Sequence, residues 1–188
     1  MYVIILCGIP GSGKSTFARK YVEKHDKSCV ILSMDALRKR LPDGTLDQSD
    51  NKAVYQKYVE NYRECLRNGQ NVILDATNAL AKGRRSLLSM IQEECCDTAH
   101  LVEKIAIEFD ADVKDAIKNN KNEDRDHVTP DEYIIKASVR RSSPSNKEGF
   151  DNCISVKTDY ENGRYKVLRG CAKTCSALEK NIFSVIRN

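Results

Sequence analysis

Residues 8–15 read Gly-Ile-Pro-Gly-Ser-Gly-Lys-Ser. They sit between the apolar run Tyr2–Cys7 and an amphipathic stretch from Ser15 to about His25. This strand–loop–helix unit limits the possible folds more than any other feature of the chain. Its spacing fits G-x-x-x-x-G-K-[S/T] at every fixed position. Glycines admit positive φ, so consecutive N–H groups can converge on phosphate oxygens as an anion-binding nest. The N-terminus of the following helix adds partial positive charge at the same point. Lys14 is placed to reach the β- and γ-phosphates, and the Ser15 hydroxyl to ligate magnesium. The alternative is a chance Gly-rich turn, against which the strand before and the helix after both speak. The unit implies binding of a nucleoside triphosphate with Mg2+.

The rest of the chain alternates short apolar runs with amphipathic stretches. Strands are predicted at Cys29–Leu32, Asn71–Ala76 and Leu101–Phe109. Helices are predicted at Asp35–Leu41, Asn51–Asn68, Lys82–Cys96 and from Asp112 to Lys118. Asn119–Thr129 is almost wholly polar and reads as a loop. Pro130 is placed in the first turn of a helix that runs to about Arg141. Ile154–Lys157 and Tyr165–Leu168 flank Asn162-Gly163, a hairpin signal, and Thr174–Ile186 is a final amphipathic helix. Strands alternating with helices imply parallel βαβ units and a three-layer α/β domain.

At 188 residues, with 40% hydrophobic and 31% charged, the chain has the size and balance of one folded domain. No window approaches the ~18 consecutive apolar residues of a membrane span. Tyr2–Cys7 reads as a strand rather than a secretory signal, and the expected compartment is the cytoplasm. A net charge of +4 permits a nucleic-acid or phosphorylated partner without demanding one. The eight cysteines form no C-x2-C pair, and neither Cys171-x3-Cys175 nor Cys95-Cys96 has a His at zinc spacing. Reduced thiols are expected. His25, His100 and His127 stand in no catalytic pattern.

Asp35 follows the second predicted strand, where strand ends border the ligand crevice of an open α/β sheet. It is a candidate proton acceptor for an attacking hydroxyl, or else the N-cap of the short helix after it. Arg38 shares its face one turn on, as a ligand for the substrate, a solvated charge or an ion-pair partner of Asp35. Asp75 ends the third predicted strand, as a candidate to organise magnesium or as a cap or turn residue within Asp75–Asn78. Arg125 in the polar loop is a candidate to neutralise charge on a transferred phosphoryl group, against a plain loop arginine in water. The basic pairs Arg84-Arg85 and Arg140-Arg141 read as solvated helix faces.

Four segments together resemble one family: Gly8 through Thr16, Ser33-Met34-Asp35-Ala36-Leu37-Arg38, Leu74-Asp75-Ala76-Thr77-Asn78, and Pro144 with Glu148-Gly149-Phe150-Asp151. The chain resembles the P-loop kinases typified by the 5′-kinase domain of phage polynucleotide kinase. Seryl-tRNA kinases and zeta-toxin-like kinases are more distant relatives. The resemblance covers about residues 1–155, leaving 156–188 as a hairpin and helix packed on the same domain. It implies a P-loop NTPase fold with four to five parallel strands in adenylate-kinase-like order. It implies that Gly8, Ile9, Pro10, Gly11, Ser12, Gly13, Lys14, Ser15 and Thr16 bind ATP. Lys14 acts in catalysis, and Ser15 and Asp75 serve Mg2+. Asp35 becomes the general base, Arg38 a contact to the nucleic-acid phosphate beside the acceptor hydroxyl, and residues 119–129 the lid. The chain departs from the family pattern in the lid, where Asn119 and Glu123 stand at positions that are usually basic and Arg125 is left.

The leading expectation is transfer of the γ-phosphate of ATP to the 5′-hydroxyl of a DNA or RNA strand. Its rivals are a kinase of a small-molecule hydroxyl (nucleoside, sugar or antibiotic) and a nucleotide-binding switch with weak transferase activity. A nucleic-acid-binding module without catalysis is disfavoured by the small net charge and by few aromatics for stacking.

Overall fold

Six strands form one sheet in the computed structural model: β1 (Tyr2–Cys7), β2 (Val30–Ser33), β3 (Val72–Asp75), β4 (Glu103–Phe109), β5 (Asn152–Asp159) and β6 (Arg164–Arg169). Their order is β2-β3-β1-β4-β5-β6. The structure describes residues 1–38, 47, 49–121, 128–170 and 176–187. The first five strands are parallel, and β6 returns antiparallel to β5. The expected parallel sheet with a C-terminal hairpin is what forms.

Parallel strands covered on both faces read as continuous apolar runs, and β1 at the centre shows why. Val3, Ile5 and Cys7 point into one layer, where α2 (Asn51–Arg67) and α3 (Ala81–Cys95) bring Tyr58, Tyr62, Leu66, Leu87 and Ile91. Ile4 and Leu6 point into the other, where α1 (Lys14–His25) and α6 (Ala177–Ile186) bring Phe17, Tyr21, Leu178 and Ile182. A third, smaller cluster joins Ile9 of the loop after β1 to Ala111, Ala116 and Ile134. The last two belong to α4 (Val113–Asn120) and α5 (Asp131–Arg140), so these helices are packed onto that loop.

Some local expectations shift. The strand predicted at Ile154–Lys157 is longer, because Asn152 and Cys153 already pair with Ile105 and Ala106 of β4. The division expected at 155/156 therefore falls inside β5, and β6 and α6 complete the same sheet and layer. Pro130 is the N-cap of α5 rather than a first-turn residue. The helix predicted over Asp35–Leu41 is a single 3-10 turn at Asp35–Leu37, and residues 39–46 lie outside the described residues. Of the lid segment 119–129, Asn119 and Asn120 finish α4. Residues 122–127, Glu123 and Arg125 among them, lie outside the described residues. Cys171 and Cys175 do so too, while the six described cysteines are free thiols. Among the described residues no helix is long and apolar enough to cross a membrane.

Candidate active site

The loop after β1 is held at both ends. Gly8 donates its N–H to Thr77 O at 3.0 Å, which ties the loop to the segment leaving β3. Gly13, at φ +95°, is the N-cap of α1. Gly11, at φ +82°, passes so close to α4 that a Cβ there would lie 2.2 Å from Ala116 O. Only glycine serves both the backbone angle and the close approach. Lys14 folds back over the loop, donating to Ile9 O at 2.8 Å, and is 7% exposed.

Asp75 ends β3 beside this loop and is 6% exposed. The Ser15 side chain, on the first turn of α1, lies near enough to the Asp75 carboxylate to favour its charged form. Burial raises the Asp75 carboxyl above the usual carboxylate range, Lys14 and Ser15 oppose that rise, and the nearby Asp35 charge adds to it. Lys14, Ser15, Asp75 and Asp35 thus share one electrostatic neighbourhood. Asp75 caps no helix, since the N-cap of α3 is Leu80.

Asp35 opens the 3-10 turn after β2, and the N-cap position there belongs to Met34. The capping role open in the sequence is therefore not the one Asp35 fills. Its side chain is 50% exposed, whereas that of Arg38 is 6% exposed, with Nε 3.5 Å from Asp35 Oδ1. Arg38 Nη1 donates to Asp47 O at 3.3 Å. The buried Nε has no hydrogen-bond partner among the described residues. A half-exposed carboxylate at the end of β2 is thus backed by a cation that solvent barely reaches.

Two residues that brace this region carried no assigned role in the sequence. Asn78 takes φ +43°, a left-handed angle that Asn tolerates better than most residues. It donates Nδ2 to Leu6 O at 2.8 Å and to Leu74 O at 3.2 Å, joining the ends of β1 and β3. Arg84, read from the sequence as part of a solvated pair, is instead fully buried. It grips Glu148 in bidentate fashion at 2.8 and 2.7 Å. Its Nη1 donates to Asn78 O and Ser142 O, each at 2.9 Å. The sequence hint was Glu148, a matching acid in the motif segment after Pro144. Of the second basic pair, Arg140 is exposed as expected, and Arg141 meets Asp110 at 2.8 Å.

Three further residues reach the loop from outside it: Asn119 of α4, Thr158 of β5 and Tyr165 of β6. None was a candidate for contact with the loop by sequence.

The Ser15 hydroxyl and the Asp75 carboxylate are hard oxygen donors on neighbouring elements, which fits Mg2+. That ion commonly takes one or two protein ligands and fills its shell with phosphate oxygens and water. Among the described residues no cluster of three or more His, Cys, Asp or Glu side chains offers an all-protein metal cage.

A family model described as an AAA domain matches residues 3–141. The L-seryl-tRNA(Sec) kinase of Methanococcus maripaludis is 29% identical over 157 residues, 79% of this chain. The chain spans 56% of the length of that kinase. A chain in the structure of a Pnkp1/Rnl/Hen1 complex is 27% identical, with a TM-score of 0.50 over 69% of this chain and 40% of its own. A chain of the PezAT toxin–antitoxin system of Streptococcus pneumoniae shares the fold at 13% identity. Its TM-score is 0.63 over 98% of this chain and 78% of its own. The matched span holds the phosphate loop, Asp35, Arg38, Asp75 and Asn78, and the chain belongs to the AAA-domain family of P-loop kinases.

Proposed function

We propose that the chain is an ATP-dependent phosphotransferase whose acceptor is the 5′-hydroxyl of a polynucleotide. The observation that carries this reading is the buried Arg38 guanidinium beside the half-exposed Asp35 carboxylate. Arg38 pairs with Asp35, which serves any acceptor, and an acceptor whose hydroxyl neighbours a phosphodiester would in addition engage the guanidinium, which matches phosphate geometry and charge. The seryl-tRNA(Sec) kinase relative, by its name, also acts on a group carried by nucleic acid.

The transfer proceeds in one displacement. Asp35 accepts the proton of the 5′-hydroxyl as its oxygen attacks the γ-phosphorus. The bond from the γ-phosphorus to the β–γ bridging oxygen breaks, and ADP leaves with that electron pair. The loop amides and Lys14 hold the β- and γ-phosphates, so the protein supplies mainly position and charge neutralisation. Ser15 and Asp75 would hold Mg2+, which when bound neutralises charge on the β- and γ-phosphates.

Arg38→Ala tests the acceptor class. It should raise the KM for a 5′-hydroxyl oligonucleotide by about 10- to 100-fold, the scale of one charge-assisted hydrogen bond to phosphate. The KM for ATP should stay unchanged. Equal loss with a free nucleoside as acceptor would contradict a phosphate-reading role for Arg38.

A further inference from the structure

Three side chains distant in sequence hold three consecutive carbonyls of the phosphate loop. Asn119 Nδ2 donates to Gly11 O at 2.7 Å. The Thr158 hydroxyl donates to Ser12 O at 2.7 Å, and the Tyr165 hydroxyl donates to Gly13 O at 3.2 Å.

The hairpin is built to deliver two of these donors. Parallel pairing of β5 with β4 ends at Val156 opposite Phe109, yet β5 runs on to Asp159. In that overhang Thr158 and Tyr165 are direct cross-strand partners. The Tyr165 ring packs edge-on against Phe17 at 5.9 Å and Phe109 at 5.7 Å, which fixes where its hydroxyl lies. The position of a Cβ on Gly13 would lie 3.1 Å from Thr158 Oγ1, so hairpin and loop are in close contact.

The chemical consequence follows from the peptide bond. In a planar trans peptide the C=O and the next N–H point in opposite directions. A carbonyl held outward therefore holds the following N–H inward. The Ser12 N–H is bonded within the loop, to Ile9 O at 3.2 Å. Thr158 holds the next peptide, whose N–H belongs to Gly13, and Tyr165 joins Phe17 N–H, which donates to Gly13 O at 3.0 Å, in holding the one after it, whose N–H belongs to Lys14. These open α1, where amides lack intrahelical acceptors and favour an anion.

We infer that the C-terminal hairpin is a positioning element of the phosphate loop. Thr158 and Tyr165, with Asn119, hold the carbonyls of residues 11–13 outward, so that the Gly13 and Lys14 amides face the triphosphate. The inference rests on the proposed use of ATP. It gives the β5–β6 hairpin a part in nucleotide binding beyond packing.

The test is calorimetric binding of ATP with Mg2+ to the full chain, alongside thermal unfolding and steady-state transfer. Thr158→Val and Tyr165→Phe should each weaken ATP binding by about fivefold, and the double variant by about 20-fold, as for one and two net hydrogen bonds. Tyr165→Phe keeps the ring packing and Thr158→Val the side-chain volume, so Tm should stay close to that of the unaltered chain. The KM for the acceptor should not move. Thr158→Ser keeps the hydroxyl and should restore most of the affinity. A lowered Tm with unchanged ATP affinity in the folded protein would overturn the inference, as would Thr158→Ser behaving like Thr158→Val. ATP affinity reports on the hairpin even if no acceptor is phosphorylated, a result that would instead overturn the proposed transfer.

Discussion

Asp35→Asn should lower phosphoryl transfer by about 10²–10⁴-fold, the usual share of a positioned general base, which is the role proposed for Asp35. The substitution keeps the shape of the side chain and removes its negative charge, and with it both the capacity to take a proton and the charge that faces Arg38 Nε at 3.5 Å. Asp35 opens the 3-10 turn after β2, outside the loop proposed to hold the phosphates, so most of the ATP affinity should be retained. Fold stability should fall only modestly, because the side chain is half exposed and caps no helix, although the 6% exposed Arg38 loses its facing carboxylate. Single-turnover transfer beside ATP calorimetry separates these quantities. An unchanged transfer rate would assign Asp35 to holding Arg38 and leave the base elsewhere. A matched fall in ATP affinity would put Asp35 in the nucleotide site rather than the acceptor site.

The second large effect is on the fold. Arg84→Leu leaves the Glu148 carboxylate in the interior without its cation, and Glu148 is only 5% exposed. It also strips Asn78 O and Ser142 O of a donor. Breaking a buried ion pair from one side costs about 3–5 kcal/mol. For a domain of this size that corresponds to a fall in Tm of about 10 °C or more. Adding Glu148→Gln to Arg84→Leu removes the stranded charge and should recover part of the loss. If Arg84→Leu unfolds within about 2 °C of the unaltered chain, the pair is not holding the Asp75–Leu80 loop to the segment after α5.

What the sequence made legible was local. β1, β3 and β4 are short runs buried on both faces, so they read as apolar blocks between helices. The phosphate loop is contiguous. Asp35 and Arg38 are three residues apart on one turn, close enough for their pairing to be read from spacing. The strand order came from the family resemblance, because apolar runs carry no information on which neighbour each will choose. The long-range contacts were not legible. Thr158 and Ser12 are 146 residues apart, and Tyr165 and Gly13 are 152 apart. A lone Thr and a lone Tyr in a hairpin give no sign of a target so distant. Arg84 misled for a related reason. A buried arginine needs a buried acid, and Glu148 lies 64 residues away, so Arg84-Arg85 read as two surface charges. Asn119, which departs from the basic pattern of the lid, has a use the pattern does not predict, as the donor to Gly11 O.

The most direct measurement is transfer of labelled γ-phosphate from ATP, with Mg2+, to short 5′-hydroxyl DNA and RNA strands, and to seryl-tRNA, beside a Lys14→Ala control. Lys14 folds over the loop where the phosphates would lie, so its loss should abolish transfer. The proposed function predicts label at the 5′ end of a strand with the unaltered chain and none with the control. ATP bound, but no label on either strand, would contradict it, and label on seryl-tRNA alone would move the acceptor from the 5′ end to the aminoacyl group.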